Sequence, residues 1–237
     1  MNSIIEQIKH VLSKSECDAI IEWARPNLQR ATVTNVDENG EVIEENLKNS
    51  SFKRTWQNKE SRIGSGRTNS DVLLGNVNIK GPFVPKINYK VKSLEKDIQK
   101  KIAYFTQTPI ENQEPITVLH YDVGQFYKAH YDWFQRGTKF FKERVVPAGG
   151  QRIYSVLIYL NNVEEGGETE YPNIFKKIKP EVGKMLIHKN VQHGLELEEA
   201  KHAALPPISG EKWALVCWVR ETSPHINMWP YEQGENK

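Results

Sequence analysis

The sequence predicts an α+β fold in which an antiparallel β-sandwich or jelly roll is supported by N-terminal helices. Two observations predict it. Apolar residues recur at helical spacing in the N-terminal part, whereas from about residue 115 the period changes to two. Turns containing Gly or Pro, such as EEGGE and PPISG, separate short runs rich in β-branched and aromatic residues, such as ITVLHY, RIYSVLIYL and KWALVCWVR. Helices followed by a train of strands with no helices between them are typical of this architecture.

Two amphipathic helices are predicted in the N-terminal part. The first begins at a capping box, in which the Ser13 hydroxyl caps the first turn while Glu16 reaches back, and it ends near Pro26. Its apolar positions fall at i, i+3, i+4 and i+7, and they are Cys17, Ile20, Ile21 and Ala24. The second helix has apolar positions at similar spacing, and they are Ile87, Val91, Leu94, Ile98 and Ile102.

Between these helices the sequence predicts a hairpin and a long polar loop. Residues 32–36 and 41–43 flank Asn39-Gly40, which is a favourable pair for a two-residue hairpin turn. Residues 44–71 are polar, and we expect a surface loop there, with a mobile lid over a site as the alternative. The predicted organisation is helical support, hairpin and candidate lid at 1–110, a jelly-roll core at 111–222 and a tail at 223–237.

Composition argues against several classes of partner. The 237 residues include 32 basic and 30 acidic ones, and the formal charge of +2 gives no electrostatic signature of nucleic acid or an anionic membrane. The N-terminus has no cationic leader, and no stretch approaches the roughly 20 apolar residues of a membrane span. We therefore expect no nucleic-acid partner, no membrane partner and a cytoplasmic protein, with Cys17 and Cys217 as buried core residues rather than a redox pair.

A candidate metal site lies in the run QFYKAHYDWF. His130 and Asp132 alternate on one predicted strand, so both side chains project to the same face and can bind one metal ion. An imidazole and a carboxylate suit Fe(II) when a second histidine completes one face of the octahedron, and three positions then stay open for a bidentate co-substrate and oxygen. The pair alone is weak support, because His120-Tyr121-Asp122 repeats the pattern ten residues upstream and a solvated pair on a surface strand explains either triplet.

A lysine on the last predicted strand suggests an anion site. Lys212 shares one face of that strand with Ala214, Val216 and Trp218, so its ammonium is predicted to face the interior. Burying this charge is costly without an anion, and a dicarboxylate held by the metal at one end and by Lys212 at the other would offset the cost. The alternative is a lysine whose ammonium reaches the rim of the barrel.

These motifs resemble those of a known family. Residues 116–221 look like the catalytic domain of the prolyl 4-hydroxylases, within the 2-oxoglutarate- and Fe(II)-dependent dioxygenases. The shared pattern is a His-x-Asp, a distal histidine, and a lysine ten residues later in a Gly-x-Lys-Trp segment, which here are His130, Asp132, His202 and Lys212. His193 also precedes a glycine but lies 19 residues before Lys212, so it does not match the distal histidine.

The resemblance implies a double-stranded β-helix (jelly roll) core and a division of roles among side chains. The implied roles are iron ligation and catalysis for His130, Asp132 and His202, binding of 2-oxoglutarate for Lys212, Tyr121, Thr169 and Trp218, and contact with a peptide substrate for Arg152. The implied cofactor is Fe(II), with 2-oxoglutarate and O2 as co-substrates and ascorbate as a further expected cofactor.

The activity implied by the resemblance is 4-hydroxylation of a peptidyl proline, coupled to oxidative decarboxylation of 2-oxoglutarate to succinate and CO2. The expected partner is therefore a proline-containing peptide or protein. Hydroxylation of another peptide side chain or of a free amino acid is the alternative enzyme activity, and a non-catalytic jelly-roll binding module is the alternative of a different class.

The chain also departs from the family pattern in places that bear on the substrate. The loop at 133–151 is longer than usual and cationic, and the family's His-Gly-Gly is His202-Ala-Ala here. Before residue 110 only the segment around Ser65-Gly-Arg67-Thr68 is similar. These differences leave the predicted iron chemistry intact and the identity of the substrate open.

Overall fold

The structure is a computed structural model that describes residues 3–31, 66–74 and 89–223. Its α-helices are α1 (Lys14–Ala24) and α2 (Tyr89–Thr106); 3-10 helices lie at Arg25–Asn27, Ile110–Asn112, Pro172–Ile174 and Glu198–Ala200, and a π-helical turn lies at Phe141–Val145. The strands are β1 (Ile5–Ile8), β2 (Gln29–Arg30), β3 (Ser70–Leu73), β4 (Thr117–Tyr121), β5 (Tyr127–His130), β6 (Arg152–Tyr159), β7 (Glu165–Gly166), β8 (Thr169–Tyr171), β9 (Lys176–Ile178), β10 (Met185–Lys189), β11 (Val191–Gln192), β12 (Leu195–Glu196), β13 (His202–Ala204), β14 (Pro207–Ser209) and β15 (Lys212–Arg220).

Antiparallel pairing joins most of these strands into two sheets. Seven strands form the larger sheet in the order β1-β10-β6-β15-β4-β3-β2, and four form the smaller sheet in the order β5-β13-β8-β9. Two-stranded ribbons, β11-β12 and β14-β7, complete the pairing. From β4 onwards the chain passes repeatedly between the two sheets, as in a jelly roll. The predicted fold class, a jelly roll with supporting helices, is therefore confirmed.

Apolar side chains pack on both faces of the larger sheet. Ile20 of α1 and Ile98 of α2 pack in one core with Leu215 of β15. On the other face, Ala214 of β15 packs with Tyr171 of the smaller sheet. Successive residues of β15 therefore face the helices and the space between the sheets in turn, as the period of two requires.

The predicted helical features are present in both α-helices. The Ser13 hydroxyl accepts a hydrogen bond from the Glu16 N–H at 3.3 Å, and the Ser13 N–H donates to the Glu16 carboxylate at 2.7 Å, which completes the capping box. The described part of α2 buries the predicted apolar positions Val91, Leu94, Ile98 and Ile102. Ile87 lies outside the described residues.

The N-terminal segment also supplies strands that the sequence did not predict. In β1 the run IEQI pairs with β10, with Ile5 opposite His188, and β3 pairs with β4, which brings Ser70 and Asp71 of the expected polar loop into the sheet. A strand of four residues carries little signal of its own, because its order comes from partners far along the chain. The hairpin predicted at 32–43, and the candidate lid up to residue 65, lie outside the described residues. Neither described α-helix has the length and apolarity that crossing a bilayer requires.

Candidate active site

The smaller sheet brings the three predicted metal ligands together. His130 ends β5 and lies directly opposite His202 at the start of β13, and Asp132 follows two residues after His130. The Asp132 carboxylate lies 3.5 Å from His130 Nε2 and 3.6 Å from His202 Nε2. One ligand atom from each residue falls within 4.8 Å of the other two, which is the spacing of a site for a single ion.

Both histidines present the same ring nitrogen to this centre. His130 Nδ1 lies 2.8 Å from the Lys128 carbonyl oxygen, and His202 Nδ1 lies 3.0 Å from the Ala200 carbonyl oxygen. A carbonyl can only accept, so Nδ1 carries the hydrogen in each ring and Nε2 is left with a free lone pair. A second hydrogen bond of this kind is how proteins orient histidine ligands of metals.

The charges at the centre suit a cation. Burial, together with the neighbouring His130, lowers the pKa of His202 to about 3, so the His202 ring is neutral near pH 7. Burial acts to raise the pKa of Asp132, but the adjacent His202 and His130 outweigh it and lower the pKa well below its usual value. Two imidazoles and one carboxylate are ligands that Fe(II) accepts, so the residues present fit the implied metal.

Lys212 lies in the same cavity and has an unpaired ammonium. Its side chain is only 1% exposed, and Nζ has no hydrogen-bond partner among the described residues. The Tyr121 and Tyr159 rings lie 5.3 and 5.7 Å from Nζ. Burial lowers the pKa of Lys212 to about 7, with a small opposing effect of Glu168. A buried lysine in this state favours binding of an anion, because the anion supplies the missing partner.

The cavity between the sheets joins the metal ligands to Lys212. Its lining consists of Arg67, Leu119, Tyr121, Tyr127, His130, Asp132, Leu157, Thr169, His202, Ala203, Ala204, Lys212, Ala214, Val216 and Trp218. The residues predicted to bind 2-oxoglutarate, including Tyr121, Thr169 and Trp218, therefore share one cavity with the metal ligands. Burial raises the pKa of Tyr121 to about 12, so its hydroxyl remains protonated and able to donate.

Two tyrosines at this site were not singled out from the sequence. The Tyr159 hydroxyl donates to Thr169 Oγ1 at 2.7 Å, so the hydrogen of the threonine hydroxyl is left for another acceptor. The Tyr127 ring stacks on His130 with centroids 3.6 Å apart, and the Arg67 guanidinium lies 4.9 Å from the centre of the same ring. Tyr159 does not line the cavity itself and reaches it through Thr169. The alternation of β6 was the available signal, because it places Tyr159 on the same face as Leu157, which lines the cavity.

Arg152 lies in a buried ion-pair network beside the cavity and does not line it. Its guanidinium donates to both oxygens of the Glu114 carboxylate, at 2.7 and 2.8 Å, and lies 3.8 Å from the centre of the Trp218 ring. Arg220 donates to the same carboxylate at 2.6 Å. The two arginines lower the pKa of Glu114 even though burial acts to raise it. These contacts give Arg152 a structural role, and its predicted contact with a peptide remains a prediction.

The competing histidines lie elsewhere. His120 and Asp122 form a second cluster with Glu211, but Arg25 donates to both oxygens of the Glu211 carboxylate, at 3.1 and 2.7 Å. The side-chain hydrogen bond from Arg25 lowers the pKa of Glu211 to about 2, so this cluster is an ion-pair network with its own cation. His193 lies between β11 and β12 at a φ of 53° and belongs to neither cluster.

Comparison with known proteins identifies a family model and relatives that this chain matches. Residues 116–220 match the model of the 2OG-Fe(II) oxygenase superfamily. The chain is 31% identical over 229 residues to probable prolyl 4-hydroxylase 10 of Arabidopsis thaliana, an alignment covering 88% of this chain and 66% of that protein, so it spans slightly less than two thirds of that relative's length.

Two solved structures share the fold. The viral collagen prolyl hydroxylase of Paramecium Bursaria Chlorella virus-1, in its 2OG complex, superposes with a TM-score of 0.59 at 24% identity over 92% of this chain and 96% of that one. A Pseudomonas putida prolyl-4-hydroxylase superposes with a TM-score of 0.57 at 17% identity over 92% and 94%. At these identities the structures support the jelly-roll fold, and the family match confirms the expectation of Fe(II), 2-oxoglutarate and O2.

Proposed function

This chain belongs to the 2OG-Fe(II) oxygenase superfamily, and we propose that it hydroxylates a peptidyl proline while converting 2-oxoglutarate to succinate and CO2. The proposal rests on one observation, which is that the metal ligands and a buried lysine line the same cavity. His130, Asp132 and His202 converge there, and the buried, unpaired ammonium of Lys212 lines the same space.

The metal would be held by Nε2 of both histidines and by the Asp132 carboxylate. Bound Fe(II), with 2-oxoglutarate and O2, supplies the oxidising power that hydroxylates an unreactive C–H bond. The chain's own contribution is to fix the ligands. The Lys128 and Ala200 carbonyls hold the two rings with Nε2 directed at the centre, and the pairing of β5 with β13 in the smaller sheet holds His130 opposite His202.

The co-substrate would extend from the metal to Lys212. The ammonium gives a point charge for the distal carboxylate, and the Thr169 and Tyr121 hydroxyls add donors. Tyr159 supports Thr169 in this role. Because the Tyr159 hydroxyl donates to Thr169 Oγ1, the hydrogen of the threonine hydroxyl stays available for the co-substrate carboxylate. Leu119, Leu157 and Val216 line the same cavity and exclude water from the reacting groups.

Proline in a peptide is the proposed target because the chain's relatives are named prolyl 4-hydroxylases. A polypeptide lying extended across the mouth of the cavity presents its ring to the metal, and a proline-rich chain is already extended before it binds. The aromatic side chains of Tyr127 and Trp218 at the cavity are suited to pack against a pyrrolidine ring.

Mass spectrometry of proline-containing peptides tests this function. The full chain is incubated with Fe(II), 2-oxoglutarate, ascorbate and air, and an Asp132→Ala variant is treated identically as the control. We expect a gain of one oxygen on a proline, matched by an equal amount of succinate, with neither product from the variant. Succinate without modification of any proline peptide, and with modification of another side chain or a free amino acid, would move the assignment to that substrate. Absence of both products would support a binding module.

A further inference from the structure

A chain of buried polar side chains runs from Asp132 into the protein interior. Its members are Ser155 on β6, His188 on β10, the adjoining Asn190 and Tyr171 on β8, and none of them lines the cavity. Each is less than 5% exposed. Polar groups buried this deeply are costly unless they are hydrogen-bonded, so their arrangement calls for a physical reason.

The first link binds the carboxylate of the proposed metal ligand. Ser155 Oγ lies 2.6 Å from Asp132 Oδ2, and both groups are buried. An ionised carboxylate can only accept, so the single hydrogen of the serine hydroxyl is donated to Oδ2. Hydrogen bonds to a charged acceptor are short and strong, which agrees with the distance.

The second link determines the direction of the first. Asn190 Nδ2 lies 2.8 Å from Ser155 Oγ and donates to it. Because the serine hydrogen is already committed to Asp132, the amide must turn its NH2 group towards Ser155 and its oxygen away. Asn190 thus donates to the oxygen of the Ser155 hydroxyl, and the hydrogen of that hydroxyl is donated to Asp132.

Two further buried side chains lie beside this pair. The Tyr171 hydroxyl lies 2.8 Å from His188 Nδ1, and His188 Nε2 lies 4.0 Å from Asp132 Oδ2. Asn190 Oδ1 and His188 Nε2 have no hydrogen-bond partner among the described residues. The hydrogen bond to Ser155 is therefore the contact that orients the asparagine amide.

We infer that Ser155 is a positioning residue for the metal, oriented by Asn190, and that it confines Asp132 to binding the ion through a single oxygen. Oδ2 accepts the serine hydrogen bond, so binding of the ion through Oδ1 would keep that bond, whereas chelation through both oxygens would compete with it. A carboxylate that chelated the ion through both oxygens would occupy a further coordination position, one of those that the co-substrate and O2 need. This inference rests on the metal site of the proposed function and extends it to residues outside the ligand set.

Binding of Co(II) in place of Fe(II) tests the inference without turnover. Co(II) is titrated into wild type and into Ser155→Ala, Ser155→Thr and Asn190→Leu, and both the dissociation constant and the visible absorption of the bound ion are recorded. Loss of a residue that orients a ligand typically weakens metal binding by about 10–100-fold. We expect a loss in that range for Ser155→Ala with a changed spectrum, a smaller loss for Asn190→Leu, and recovery in Ser155→Thr, which keeps the hydroxyl.

The matched control removes a buried hydroxyl far from the metal. Thr106 on α2 donates to the Ile102 carbonyl at 2.7 Å and does not line the cavity, so Thr106→Val should lower the melting temperature and leave Co(II) binding unchanged. If Ser155→Ala behaves in the same way, the inference is overturned while the metal site stands. If Ser155→Ala does not fold, unchanged binding by Asn190→Leu overturns it equally. Failure of the wild type to bind Co(II) overturns the metal site and the inference together.

Discussion

Replacing Lys212 by methionine separates two effects of its buried charge: the loss of folding stability and the gain in anion binding. Methionine has a similar length and no charge, so the change removes the ammonium without leaving a large cavity. Lys212 is 1% exposed and has no hydrogen-bond partner in the described part of the chain, and under the proposed function 2-oxoglutarate would be its counter-ion. Breaking a buried ion pair from one side costs roughly 3–5 kcal/mol, which corresponds to about 150-fold to 5,000-fold in affinity.

Lys212→Met should weaken binding of 2-oxoglutarate but stabilise the ligand-free protein. The folded state holds the pKa of Lys212 at about 7, below the ordinary value of 10.5, so between these two pH values the unfolded chain binds more protons. Stability therefore rises with pH across this window. Below pH 7 the charge costs the folded state on the order of a few kcal/mol. Lys212→Met should remove that cost and flatten the pH dependence between about 7 and 10.5.

Calorimetric titration with 2-oxoglutarate, together with urea unfolding of the ligand-free protein, measures both effects. We expect weaker binding of 2-oxoglutarate, unchanged affinity for Co(II), and an equal or higher free energy of unfolding at pH 7. Wild-type binding should also weaken as pH rises above about 7, because the neutral amine must take up a proton to pair with the carboxylate. Normal affinity of Lys212→Met for 2-oxoglutarate would show that another group anchors the anion.

Three further experiments test the distal histidine, the Thr169 hydroxyl and the buried ion-pair network. His202→Ala should abolish Co(II) binding in a calorimetric titration while His193→Ala retains it, and the reverse result would exchange their roles. Thr169→Val removes a hydroxyl and keeps the shape, so it should weaken 2-oxoglutarate binding by about 10-fold, the effect of one hydrogen bond to a charged group, and an unchanged dissociation constant would contradict that role. Glu114→Gln should lower the free energy of unfolding by roughly 3–5 kcal/mol because it leaves Arg152 without its buried counter-ion, and a change within 1 kcal/mol in urea unfolding would show the network to be dispensable.

The sequence predicted best those features that depend on residues a few positions apart in the chain. The capping box of α1 involves Ser13 and Glu16, three positions apart, and His130 and Asp132 lie two positions apart in one metal-binding cluster. The structure differs from the prediction in one respect, because β5 ends at His130 and Asp132 lies beyond the strand that was predicted to hold both. The inward position of Lys212 was likewise readable from the period of two on its own strand. In each of these cases the relevant spacing spans only a few residues.

Contacts between distant segments were beyond sequence reasoning. Arg152 meets Glu114 from 38 positions away, and no local pattern distinguishes a guanidinium that pairs with a buried carboxylate from one that faces a substrate. Ser155 reaches Asp132 only because β6 passes behind the end of β5, and Asn190 reaches Ser155 from 35 positions along the chain. Strand β1 forms because it pairs with β10, so its own four residues do not identify it as a strand.

Isotope labelling with 18O2 tests whether the chain couples proline hydroxylation to the decarboxylation of 2-oxoglutarate. A reaction of 2-oxoglutarate, O2 and a C–H bond that yields succinate, CO2 and an alcohol divides the two oxygen atoms between succinate and the alcohol. For the wild-type chain with Fe(II) and a proline peptide, we expect one labelled oxygen in succinate and one in hydroxyproline, in equal amounts, and no label in either product with Asp132→Ala. Label in succinate alone across all candidate substrates, or hydroxyproline whose oxygen comes from water, would contradict it.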